Sequence, residues 1–103
     1  MGTIYYAGAA IHIEDRALAH LKAVISTKLR RHESFTVSWR HPDGEPVGRS
    51  TIWLHPSIPL RFQFDDPEPT VLDRRWIESM AQSAHSTGGI VIVPQPADEA
   101  IAS

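Results

Sequence analysis

The run Ser34-Phe-Thr-Val-Ser-Trp-Arg40 alternates apolar and polar residues without a fault. Phe35, Val37 and Trp39 therefore take one face of a strand, and Ser34, Thr36, Ser38 and Arg40 the other. His41-Pro-Asp-Gly-Glu-Pro-Val-Gly48 follows with turn chemistry, because proline presets φ and glycine permits positive φ. Two further short strand patterns, Ser50 to His55 and Leu60 to Phe64, join at His55-Pro-Ser-Ile-Pro59, so the pattern predicts a three-stranded meander over 34–64. Nearer the start, Thr3-Ile-Tyr-Tyr-Ala7 and Ile11-His-Ile13 read as a strand pair around Gly8-Ala-Ala10.

Helical spacing takes over twice. After Asp15, a candidate N-cap, the residues Leu18, Leu21, Val24, Ile25, Lys28 and Leu29 recur at three and four, and the basic last turn suits the negative end of the helix dipole. The acidic, proline-containing stretch Asp65-Asp-Pro-Glu-Pro-Thr70 cannot extend a strand and leads to a second helix capped by Asp73, with Leu72 spaced to pack on Ile77 as a hydrophobic staple. Its apolar stripe is Trp76, Ile77, Met80, Ala81 and Ala84, and Gly88-Gly89 is the expected stop. Ile90-Val-Ile-Val93 is apolar on both faces and predicts a central strand, while 96–103 reads as a flexible tail. The order ββαβββαβ points to an α+β two-layer sandwich over 1–95, one mainly antiparallel sheet with two helices on one face.

Composition narrows the class without naming an activity. A chain of 103 residues is one domain able to bury roughly two-thirds of the surface its unfolded form exposes. It contains no Cys, no apolar run of membrane-spanning length and no basic, apolar leader, so a cytoplasmic domain is expected. The net charge of −2 hides an asymmetry: residues 16–61 carry eight cations against three anions, and 65–103 carry two against seven. Such polarity fits an anionic partner or head-to-tail pairing, unless folding interleaves the halves.

Little of the chain carries recognisable chemistry. The six histidines include no helical i, i+3 or i+4 pair, so neither a metal site nor a cofactor is expected, and Asp65, Asp66 and Glu68 match no calcium loop. The glycines never recur at the spacings of a phosphate loop, a dinucleotide fingerprint or a nucleophile elbow. One surface stands out, the polar side of the meander, where Thr36, Ser38 and Arg40 are expected beside Thr51, Trp53 and His55 and beside Arg61 and Gln63. A tryptophan among guanidinium groups and hydroxyls suits a protein partner or a second copy of the chain, with stacking on nucleic acid as the alternative.

The stretches Leu18-Ala-His-Leu-Lys-Ala-Val-Ile-Ser-Thr-Lys-Leu-Arg-Arg31, Glu33-Ser-Phe-Thr-Val-Ser-Trp39, Gly48-Arg-Ser-Thr-Ile-Trp-Leu-His-Pro-Ser-Ile-Pro-Leu60 and Arg75-Trp-Ile-Glu78 resemble a family of small actinobacterial proteins of unknown function. Many of these are labelled ATP-dependent DNA ligase, and the resemblance implies at most a DNA-associated accessory piece. The nucleotidyl-transferring motif Lys-x-Asp-Gly is missing: Lys22 precedes Ala-Val-Ile, Lys28 precedes Leu-Arg-Arg, and Asp43-Gly44 follows His41-Pro42. The expectation is a non-catalytic domain acting through a protein partner or homodimer, with nucleic-acid binding as the alternative and no membrane contact. Arg30, Arg31, Arg40, Trp53 and Arg61 are the expected contact residues.

Overall fold

The computed structural model of the chain describes residues 1–87 and 89–93. Its elements run β1 (Gly2–Tyr6), β2 (Ala9–Ile13), α1 (Asp15–Arg30), β3 (Phe35–Arg40), β4 (Arg49–Leu54), β5 (Leu60–Gln63), α2 (Arg74–Thr87) and β6 (Gly89–Val91). This is the α+β order that the pattern predicts. The strands, however, divide into two three-stranded sheets, β2-β1-β5 and β4-β3-β6, rather than one.

The division overturns the meander. Strands β3 and β4 pair antiparallel in the register Phe35↔Leu54 to Arg40↔Arg49, as expected. Strand β5 instead crosses to the other sheet and pairs antiparallel with β1, from Thr3↔Gln63 to Tyr6↔Leu60. The place left beside β3 is taken by β6, in parallel register from Thr36↔Gly89 to Ser38↔Val91. Strand β6 is thus an edge strand and β3 the central one, which corrects the reading of Ile90–Val93 as central. Its Ile90 side chain is buried in the core, and its outer edge meets α2, whose Ser83 hydroxyl accepts from the Val91 amide at 2.9 Å.

Local chemistry sets the joints. Strands β1 and β2 meet through the two-residue turn Ala7-Gly8, both at positive φ (49° and 82°), the arrangement whose twist matches a hairpin. Helix α1 is capped by Glu14 rather than Asp15, since the Glu14 carboxylate accepts from the amides of Arg16 and Ala17. It ends in a Schellman turn in which the Glu33 amide donates to the Lys28 carbonyl, the His32 amide donates to Leu29, and His32 occupies the left-handed position at φ 58°. Asp73 caps α2 as predicted, its Oδ1 accepting from the Arg75 amide at 3.0 Å. Leu72, just before it, is half exposed. The predicted stop at Gly88 and the tail at 96–103 lie outside the described residues, and Gly89 opens β6.

The core gathers the inward residues of both sheets, Ile4, Ile11, Ile13, Phe35, Val37, Trp39, Leu54 and Ile90, against Leu18, Leu21 and Ile25 of α1 and Trp76 and Met80 of α2. Burial of this apolar surface is the main drive to fold, at about 25 cal/mol per Å². Two polar devices lock the pieces together. The Tyr6 hydroxyl of the first sheet donates to the Trp53 carbonyl of the second. His20, fully buried, receives the Asp73 amide on Nε2 at 2.7 Å while Nδ1 lies 2.6 Å from the Arg16 carbonyl. A carbonyl only accepts and an amide only donates, so the ring proton sits on Nδ1. The same ring packs on Trp76, centroids 4.4 Å apart.

Candidate interaction surface

The second sheet has one face in the core and one in solvent. Strand pleating sends Phe35, Val37 and Trp39 of β3 inward and leaves Thr36, Ser38 and Arg40 outward. The antiparallel register then sets Trp53 opposite Thr36, Thr51 opposite Ser38 and Arg49 opposite Arg40 on that outer face. Trp53 is 57% exposed, whereas Trp39 and Trp76 are buried. A large aromatic ring is thereby held open to solvent on a rigid sheet.

Along that face from Trp53 come a pair of hydroxyls and then, at the far end, two cations with no carboxylate of the described residues within 4 Å. Ser38 Oγ and Thr51 Oγ1 lie 2.8 Å apart. Arg40 and Arg49, both exposed, end the two strands as a like-charged cross-strand pair, an arrangement that is mildly unfavourable until an anion or aromatic ring meets it. Beyond them His41 ties down the β3–β4 connection, with Nδ1 2.9 Å from the Pro46 carbonyl, Nε2 2.7 Å from Ser50 Oγ, and its amide donating to Gly48. On the far side of the sheet, β6 approaches so closely that a methyl at Gly89 would overlap Thr36 Oγ1.

Of the five expected contact residues, only Arg40 and Trp53 share this face. Arg61 lies on β5 in the other sheet, its guanidinium 5.3 Å above the Tyr5 ring, and Gln63 accepts there from the Tyr5 hydroxyl at 3.0 Å. Arg30 ends α1 and lines a cleft along that helix. Arg31, the C-cap, is exposed and stands 4.0 Å from Glu33. His55 lies beyond β4 and folds its own turn, Nδ1 accepting from the Ser57 amide at 3.0 Å. Arg49 was not among the expected residues, although the alternation Arg49, Thr51, Trp53 places it on the tryptophan side as plainly as it places Thr51. Tyr5 as the partner of Arg61 was hidden, because it depends on β5 changing sheets.

Among the described residues no group of three His, Asp or Glu side chains is placed to hold a metal ion. No helix among them is long and apolar enough to cross a membrane. No curated protein and no solved structure matches the chain. A family profile matches across residues 1–95, nearly the whole length and every described strand and helix. The chain belongs to that family, the domain of unknown function DUF7882.

Proposed function

We propose that this is a non-catalytic cytoplasmic interaction domain that meets a protein partner, or a second copy of itself, through the outer face of β4-β3-β6. The observation that carries the reading is Trp53, 57% exposed at one end of an outer face that continues through the hydroxyls of Ser38 and Thr51 to the arginine pair Arg40 and Arg49. Tryptophan and arginine dominate the binding energy of protein interfaces because both bury large areas while keeping a polar handle. A nucleic-acid platform usually stacks bases on two or three rings. Here the face carries one, since Arg61 and Tyr5 belong to the other sheet.

The other two tryptophans are buried, so iodide quenching of fluorescence reports mainly on Trp53. Light scattering over a concentration series should show self-association with protection of Trp53, or a pull-down from native cytosol should recover a protein that Trp53→Ala fails to recover. Identical masses and identical recoveries for the wild type and Trp53→Ala would reject the proposal. Salt-dependent binding of a short single-stranded oligonucleotide, lost in Arg40→Ala, would replace it with the nucleic-acid reading.

A further inference from the structure

Helix α1 turns Ala17, Leu18, Leu21, Val24 and Ile25 into the core. At 3.6 residues per turn, Ala19, Lys22, Ala23, Ser26 and Arg30 then fall on the opposite side, which in an ordinary surface helix meets only water. Here the segment 65–72 crosses that side as a strap. One end is tied where the Asp15 carboxylate accepts from the amides of Asp65 (3.4 Å) and Asp66 (2.9 Å), and the other where the Asp73 amide reaches His20. Between the ties the strap stands off the helix and leaves a cleft of about 780 Å³. That volume lies in the range of small-molecule sites, roughly 300 to 1,000 Å³.

The lining has an apolar part and a cationic part. Phe62 and Phe64, half-buried, form one wall, Leu72, 50% exposed, forms another, and Ala19 and Ala23 give a low floor. Lys22, Ser26 and Arg30 recur every fourth residue and so make a single row about 12 Å long. Lys22 and Arg30 are exposed, and neither has a carboxylate of the described residues within 4 Å. The Lys22 ammonium rests 6.0 Å from the Phe64 ring centroid, beside the apolar wall. Two of the acids that reach the cleft are engaged at its other end, Asp15 with the strap amides and Asp66 with the Glu68 amide at 3.0 Å. The third acid, Glu68, is exposed midway along the strap, so the carboxylates belong to Asp15 and the strap while the cations stand in the row on the helix.

We propose that this cleft binds a small amphipathic carboxylate, its carboxylate on the Lys22–Ser26–Arg30 row and its aliphatic or aromatic body against Phe62, Phe64 and Leu72. Either cation of the row, with the Ser26 hydroxyl beside it, can hold a carboxylate through a charge-assisted hydrogen bond. The exposed apolar walls supply the drive for the remainder. The site is separate from the Trp53 face, and each stands or falls alone.

The test is an amide-resolved NMR titration of the full chain with octanoate, using 1-octanol as the uncharged control. Saturable shifts should centre on Ala19, Ala23, Ser26 and the strap. Affinity should fall about tenfold for octanol and for the paired variant Lys22→Gln/Arg30→Gln, as expected when one charge-assisted contact of ordinary strength is lost. Ala23→Leu, which fills the floor and keeps both charges, should also abolish the shifts while the rest of the spectrum shows the fold intact. Shifts that are absent or scattered over the surface, or affinity unchanged in the paired variant, would overturn the proposal.

Discussion

His32 and Ala7 sit in left-handed backbone, at φ 58° and 49°, where a side chain costs about 1 to 2 kcal/mol relative to glycine. His32 holds the position at which helices ending in a Schellman turn usually carry glycine, and it is exposed. His32→Gly should therefore raise stability by about 1 kcal/mol, read as a higher urea midpoint at unchanged slope. At the hairpin, Ala7→Asn would create the Asn-Gly pair that such turns favour, with a gain of up to about 1 kcal/mol in the same measurement. The two sites lie on separate elements, so the gains should add. Gly89→Ala should have the opposite sign and cost more than either gain, because its methyl has nowhere to go against Thr36. Thr36→Ala in the same chain should recover part of that loss.

Among the elements, α1 and α2 depend on one histidine. His20→Phe keeps a ring against Trp76 but leaves the Asp73 amide without its acceptor, which should cost about 1 to 3 kcal/mol and speed amide exchange in the first turn of α2. Most element boundaries were legible in the sequence, since periodicity is a local property: Phe35, Val37 and Trp39 alternate, and Leu18, Leu21 and Ile25 recur, whatever lies opposite. Partner choice was not. Leu60-Arg-Phe-Gln63 alternates equally well beside β4 or β1, and the five-residue connection at 55–59 permits either. Ile90 and Val91 looked central because both faces are apolar, yet they form an edge strand whose outer backbone edge meets Ser83 of α2. Two of the five expected contact residues, Arg40 and Trp53, were placed on one face by strand parity alone. Arg61 was misplaced because its position rested on the sheet that β5 was expected to join.

On the scale of the whole molecule, two sheets without a shared ladder are held by a common core and by the hydroxyl of Tyr6 on the Trp53 carbonyl. Tyr6→Phe removes that bond and little else, and should lower stability by about 1 kcal/mol in urea denaturation. Trp53→Ala, on an exposed position of the same strand, should change it by no more than about 0.5 kcal/mol, which keeps the binding tests interpretable. The parallel pairing of β3 with β6 adds a constraint of timing, because Thr36 must wait for Gly89, roughly fifty residues further along. As the polypeptide leaves the ribosome, one flank of β3 stays bare until α2 has emerged and swung β6 into place. For that interval the nascent chain offers an unguarded hydrogen-bonding edge to any neighbouring extended segment, and chaperone demand should peak there.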